Sequence, residues 1–280
     1  MKDQKILILG GTGKTGRRVV EQLTKLNIPT VIGSRSATPS FDWDKPELWP
    51  NVLEGVTTAY ITYQPDLAVP GASDAITEFT QKALEAGVKK VVLLSGKGEK
   101  EAEFCEEIVK NSGLDYTIVR ASWFNQNFNE GFFIDPILAG VVALPKSEVG
   151  IPFVDVDDIA EVVVKALTES DHNGKTYQLT GPRQLTFREA VTEISEASGR
   201  DIKFIPVTME AYKDMLHKHE VPETYIWLIT YLFEEVLTEE NSEITSDIQL
   251  VLNRKATDFS TYAKRVAATQ VWNSVFSPIS

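Results

Sequence analysis

The sequence predicts an α/β fold, a doubly wound parallel sheet followed by a smaller, mostly helical C-terminal lobe. Three observations carry this expectation. From Lys5 to Val119, short β-branched and leucine-rich runs alternate with segments of helical period, as parallel strands linked by helices require. A glycine-rich turn, Gly10 to Gly16, separates the first apolar run from the first helical segment. Beyond Arg120 the alternation loosens, and amphipathic helical segments come to dominate.

In chain order, the expected strands are Lys5 to Leu9, Thr30 to Gly33, Ala59 to Thr62, Lys90 to Leu94 and Tyr116 to Val119. Each is a short apolar run of the kind that a sheet covered on both faces needs. Between them, helical spacing predicts helices over Thr15 to Leu26, Ala72 to Ala86 and Glu99 to Asn111. The last two are followed by Gly87 and Gly113, which supply the left-handed residue after a final turn. Pro136 and Pro145 break Gly131 to Lys146 into a loop, a short helix and a strand. Asp155, Asp157 and Asp158 open a helix through Leu167, with acids at the end where backbone N–H groups lack partners. A strand at Thr176 to Thr180 stops at Gly181-Pro182, and Thr186 to Glu189 has capping-box spacing for a helix to about Ser198. After the strand-like Ile202 to Pro206, the rest reads mostly as helix. This divides the chain into a sheet domain, 1–180, with 126–150 contributing to the lobe, and a lobe, 181–280.

The 280 residues include 28 Lys+Arg and 40 Asp+Glu, a formal charge of −12. Such a surface excludes a nucleic-acid coat, which needs clustered cations against phosphates. With 42% hydrophobic and 24% charged residues, the chain can bury a full core. A single cysteine, Cys105, rules out an intrachain disulfide and a thiolate metal cage, and suits a reducing compartment. The charged start leads into only four apolar residues, Ile6 to Leu9, and no stretch reaches the roughly 18 that a membrane helix needs. The expectation is a cytoplasmic chain with no membrane or nucleic-acid partner.

Gly10, Gly13 and Gly16 follow a G-x-x-G-x-x-G spacing, with Thr12, Lys14 and Thr15 between them. Between a strand and a helix, these glycines suit a tight turn, a backbone open to a pyrophosphate and close helix packing. The free N–H groups of the helix start face the anion. This makes the predicted sheet Rossmann-type. Gly13-Lys14-Thr15 also mimics the end of an NTPase P-loop, but Ile8 stands where that motif needs glycine.

The dinucleotide is chosen at the end of the second strand, about twenty residues on, where an acid would accept from an NAD ribose. The chain has Ser34-Arg35-Ser36 there. A guanidinium flanked by hydroxyls suits a 2′-phosphate, so the expected cofactor is NADP(H), with NAD disfavoured. A solvated loop charge is the plainer alternative for Arg35. Position at strand ends adds Tyr63 and Gln64 on the adenosine and ribose side. It adds Ser95, Ala121, Ser122, Trp123, Phe124 and Asn125 toward the nicotinamide.

The familiar short-chain dehydrogenase acid is a tyrosine with a lysine four residues on, the lysine lowering the phenol pKa. After Ser95 no tyrosine occurs until Tyr116, so no catalytic residue is assigned. His172 lies in a polar stretch, His217 and His219 face different directions on a helix, and no metal ligand is expected. Cys105 sits among acids that discourage a thiolate and reads as packing. Trp123, Phe124, Phe128, Phe132 and Phe133 read as core, or as an apolar wall for a planar substrate. Tyr225, Trp227, Tyr231 and Phe233 fit a lobe lining or a subunit contact.

These segments resemble the NmrA-like branch of atypical short-chain dehydrogenases. The resemblance rests on the glycine turn, Ser34-Arg35-Ser36, Phe41-Asp42-Trp43, Ser112 to Thr117, Trp123-Phe124 with Asn127-Phe128, Pro152-Phe153-Val154 and Asp158-Ile159-Ala160. Within that branch, Phe41-Asp42-Trp43, Trp123-Phe124 with Asn127-Phe128, and Gly181-Pro182 with Leu185-Thr186 are most similar to ergot-alkaloid (festuclavine and agroclavine) dehydrogenases, with bacterial NADPH:quinone oxidoreductases close behind. The resemblance runs to about Phe259 and implies an NADP-binding fold with a small C-terminal substrate lobe. It also implies that losing the tyrosine and lysine pair is normal. Two departures, Ala121 where proline is usual and Asn253-Arg254-Lys255 for a glycine and proline, are expected on the substrate side. Two functions follow: an NADPH-dependent reductase of a small planar electron-poor substrate, quinone-like or iminium-like, or a non-catalytic NADP(H) redox sensor acting through a protein partner. A homodimer is compatible with either.

Overall fold

The apolar runs become strands because alternate side chains point to opposite faces and both faces are covered. In the computed structural model, which describes residues 5–273, the strands are β1 (Ile6–Leu9), β2 (Thr30–Gly33), β3 (Thr58–Ile61), β4 (Lys90–Gly96), β5 (Asp115–Ala121), β6 (Val141–Leu144), β7 (Lys175–Leu179) and β8 (Lys203–Pro206). Six form one parallel sheet in the order β2-β1-β3-β4-β5-β7. The remaining two, β6 and β8, pair in parallel as a separate ribbon.

The helices are α1 (Lys14–Lys25), α2 (Trp49–Leu53), α3 (Ala72–Glu85), α4 (Lys100–Lys110), α5 (Asn127–Glu130), α6 (Ile134–Ala139), α7 (Val156–Thr168), α8 (Phe187–Ser198), α9 (Met209–Lys218), α10 (Glu223–Tyr231), α11 (Asp247–Leu252) and α12 (Phe259–Ala267). One sheet face gives Leu7, Leu9, Ala59, Ile61, Val91 and Leu93 to a core completed by α2, α3 and α4. The opposite face is covered by α1, which packs on α7. Gly87 (φ 88°) and Gly113 (φ 85°) take the left-handed conformation expected of them. Thr186 and Glu189 form the expected capping box. No helix among the described residues is long and apolar enough to cross a membrane.

The chain forms two compact units. The first comprises residues up to Ala121 with Val156–Leu179 and Asp247–Arg254, and the second Ser122–Asp155, Thr180–Ser246 and Lys255 onward. The units do not divide at 180 alone: 122–155, which includes the 126–150 stretch expected to contribute to the lobe, belongs to the second unit as a block, and 247–254 returns to the first. Charge pairing explains that return. Asp247 accepts the Gln178 N–H at 2.6 Å, and Arg254 pairs with Asp158 and Glu161 of α7 at 2.8 and 2.7 Å. Arg254, expected on the substrate side, is thus tied to the sheet-bearing unit. The second unit has its own core, in which Phe128, Phe153, Phe187, Phe233 and Phe259 meet.

Candidate functional site

The turn after β1 is built from contacts that only bare backbone permits. Gly10 has φ +63°, and a Cβ on Gly16 would lie 2.2 Å from the Gly10 carbonyl oxygen. The helix therefore descends onto the strand where a side chain would block it. The Gly10 N–H donates to the Gly33 carbonyl at 2.9 Å, and the Gly13 N–H to the Gly10 carbonyl at 2.8 Å. Gly13 caps α1 with no side-chain hydrogen bond, and the first turn carries no acid. A helix start with no side-chain cap, Lys14 in its first turn and no acid in that turn fits an anion. The bare cradle thus fits the diphosphate of a dinucleotide. Thr12 is exposed, whereas Thr15 is buried and accepts from the Tyr60 hydroxyl at 3.1 Å. That contact turns its side chain toward the sheet and leaves its backbone for the cradle.

At the end of β2, the Ser34 carbonyl accepts the Ala37 and Phe41 N–H groups at 3.2 and 2.9 Å. The hydroxyls of Ser34 and Ser36 lie 3.3 Å apart. This closed turn presents Arg35 to solvent. Gln64, after β3, lies with its amide nitrogen 3.8 Å from where a Cβ on Gly13 would stand, which brings it to the glycine turn. Tyr63 is half-buried, its ring 4.9 Å from that of Trp43. Burial, then Asp44, pushes its hydroxyl pKa up. The Phe41-Asp42-Trp43 segment thereby becomes an aromatic plug, with Trp49 and Phe79 packed around it.

The end of β4 differs from the sequence reading. Ser95 is buried and donates to Glu106 Oε1 at 2.7 Å, so its hydroxyl proton is committed to α4. Gly96 leaves room for Glu99: a Cβ on Gly96 would fall 1.8 Å from Glu99 Oε1. Glu99 is 7% exposed and hydrogen-bonds Asp66, in the loop after β3. Its Oε2 is buried with no hydrogen-bond partner. Burial first, then Asp66 and Glu101, hold the Glu99 pKa well above the usual carboxylic acid value. Sequence reasoning missed this pair, because no local motif announces two acids meeting across adjacent strand ends.

Ala121 ends β5, and Ser122 begins the second unit. There Ser122 is buried and Phe124 half-buried, while Trp123 packs edge-on against Phe187 and Phe233 at 5.6 and 5.3 Å. Asn125 is fully buried, and neither side-chain polar atom has a partner. A buried amide without partners is costly. Phe128 and Phe133 lie in the core, whereas Phe132 is 55% exposed, so the aromatic cluster divides between packing and surface.

No metal ligand is expected at His172, yet one carboxylate oxygen each of Glu169 and Asp171 lies within 4.8 Å of one of its ring nitrogens. Its Nδ1 lies 2.8 Å from the Tyr177 hydroxyl and its Nε2 3.4 Å from Glu169, so both nitrogens are engaged inside the chain. Cys105 is buried in the core of the first unit.

The sequence model of the NmrA-like family matches residues 2–263. Prestalk A differentiation protein A of Dictyostelium discoideum is 28% identical over 98% of this chain and 96% of its own length. Agroclavine dehydrogenase of Claviceps fusiformis is 30% identical over 78% of this chain and 81% of its own. Among solved structures, the NADPH-dependent quinone oxidoreductase of Escherichia coli, complexed with NADPH, superposes with a TM-score of 0.79 over 93% of this chain and 99% of its own, at 19% identity. That likeness concerns the fold.

Proposed function

This chain belongs to the NmrA-like family, and from that premise we propose that it is an NADP(H)-dependent oxidoreductase that passes hydride to a small, planar, electron-poor acceptor. One observation carries the reading: the glycine cradle between β1 and α1, whose helix start is uncapped and free of acids in its first turn. Gly10, Gly13 and Gly16 hold the diphosphate with backbone amides, Lys14 adds charge, and Arg35 between Ser34 and Ser36 takes the 2′-phosphate. Gln64 reaches the same turn. When bound, the reduced nicotinamide supplies the hydride. The similarity to an agroclavine dehydrogenase supports an oxidoreductase.

Positioning carries much of such a reaction, because orienting two partners can replace a large entropic cost. Asn125, with its unpaired amide, and Ser122, Trp123 and Phe124, which follow the end of β5, are further candidates for contacts to the cofactor or substrate. The test is consumption of NADPH with a panel of quinones and iminium compounds, run beside Arg35→Ala. NADPH affinity of the variant is expected to fall about tenfold to a hundredfold, the worth of a charged hydrogen bond, with NADH affinity unmoved. Equal losses for both dinucleotides would remove Arg35 from the 2′-phosphate. A chain that oxidises NADPH with no acceptor, yet distinguishes the two redox forms of the cofactor, would be a sensor acting through a protein partner.

A further inference from the structure

We propose that Asp66 and Glu99 form a proton relay, the acid of this site, in which Glu99 hands a proton to the reduced acceptor and Asp66 refills it from water. The proposal rests on the reductase reading above. Its starting point is placement. Ligands of open parallel sheets meet the carboxyl ends of the strands, and Asp66 and Glu99 follow two adjacent strands, β3 and β4, beside the Tyr63-Gln64 segment. No tyrosine follows Ser95 until Tyr116, and the Ser95 hydroxyl is committed to Glu106.

Glu99 is held against Asp66 by a side-chain hydrogen bond, which needs a proton on one of the two acids. Its Oε2 is buried without a partner, an arrangement whose cost is removed when a ligand hydroxyl or carbonyl meets it. Gly96 makes this possible, since the Glu99 carboxyl occupies the place of a side chain there. Asp66 is half-buried and within reach of water, and its Oδ1 accepts the Ala68 N–H at 2.9 Å. The charged or titratable groups facing Glu99 are Asp66 from the β3 loop and Glu101 from its own helix, and both disfavour its ionisation.

When bound, a reduced nicotinamide would supply hydride, two electrons and one hydrogen, to a quinone-like acceptor. With Glu99 protonated, its O–H bond breaks as a bond forms from that proton to the acceptor oxygen. The carboxylate left on Glu99 is disfavoured by burial and takes up a proton that reaches it from water through Asp66, so the pair returns to its starting state. An iminium acceptor needs hydride alone, so the relay serves quinone-like substrates.

The experiment compares wild type with Glu99→Gln, which keeps shape and neutrality but cannot pass a proton. The ratio of quinone to iminium turnover is expected to fall about 100-fold, within the usual range for a positioned acid, while KM for NADPH stays within about twofold. Wild-type kcat with quinone should fall as pH rises, and the variant's pH profile should be flat. Infrared spectra of the protein without cofactor should show a carboxylic-acid C=O band at neutral pH that is absent from the variant. This readout stands whether or not turnover survives substitution. A wild type that reduces quinone, with a variant that matches its ratio and pH profile, overturns the relay and leaves the reductase reading intact. A variant whose acid band persists overturns it as well. A wild type that oxidises NADPH with no acceptor overturns both.

Discussion

Arg120 and Glu106 form a two-point ion pair across β5 and α4, with Nε to Oε1 at 2.7 Å and Nη2 to Oε2 at 2.6 Å. Glu106 is fully buried and also receives the Ser95 hydroxyl and the more distant Lys110 ammonium at 3.6 Å. Removing one member of a buried pair strands the other charge without compensation. Arg120→Ala is therefore expected to destabilise the fold by about 3 to 5 kcal/mol, read as a lower urea midpoint. A loss under about 1 kcal/mol would mean that Glu106 is adequately held by its other partners.

The glycine turn gives a second test. In Gly16→Ala the new methyl would meet the Gly10 carbonyl at 2.2 Å, a backbone atom that cannot swing aside. Overpacking of this kind costs about 1 to 3 kcal/mol, and the displaced α1 start should lower NADPH affinity at least about tenfold by that same strain. Fluorescence titration of NADPH checks the second effect and thermal unfolding the first. Unchanged affinity would place the dinucleotide elsewhere.

In the second unit, Arg183 donates to Asp258 through Nε at 2.7 Å and Nη2 at 2.9 Å. The guanidinium holds the Asp258 carboxyl well below the usual carboxylate range. A depressed pKa contributes stability above the unfolded value near pH 4 and loses it as acid reaches the folded value. The stability gap between wild type and Arg183→Ala should thus be full at pH 6 to 7 and shrink progressively below about pH 4. Urea midpoints across that range provide the check. A gap that widens in acid would contradict the pairing.

Cys105 should be inert in the native chain. Burial, then Glu106 and Asp66, push its thiol up to about 11, and the thiolate is the reactive form. A thiol-specific dye at pH 8 is expected to label no native molecules and to label one site after unfolding. Rapid native labelling would show that this part of the core opens.

The sheet was legible because its strands announce themselves locally. Ile6 to Leu9 and Lys90 to Leu94 are short apolar runs, and Gly87 and Gly113 mark helix ends by a backbone need that few residues meet. β4 and β5 run two residues further than their apolar cores, since Ser95, Gly96, Arg120 and Ala121 pair with one another across the two strands. Periodicity does not record such pairing. The glycine turn was legible for the same local reason. The Asp66–Glu99 contact joins residues from two loops, and the Arg254 bond to Asp158 joins residues 96 apart, so neither leaves a trace in spacing.

Calorimetric titration of the purified chain with NADPH and, separately, NADH tests the account most directly. The glycine cradle and Arg35 together predict saturable binding of NADPH, tighter than NADH by about tenfold or more, the worth of one charged hydrogen bond to the 2′-phosphate. Absence of heat with either dinucleotide, or equal affinity for the two, would contradict it.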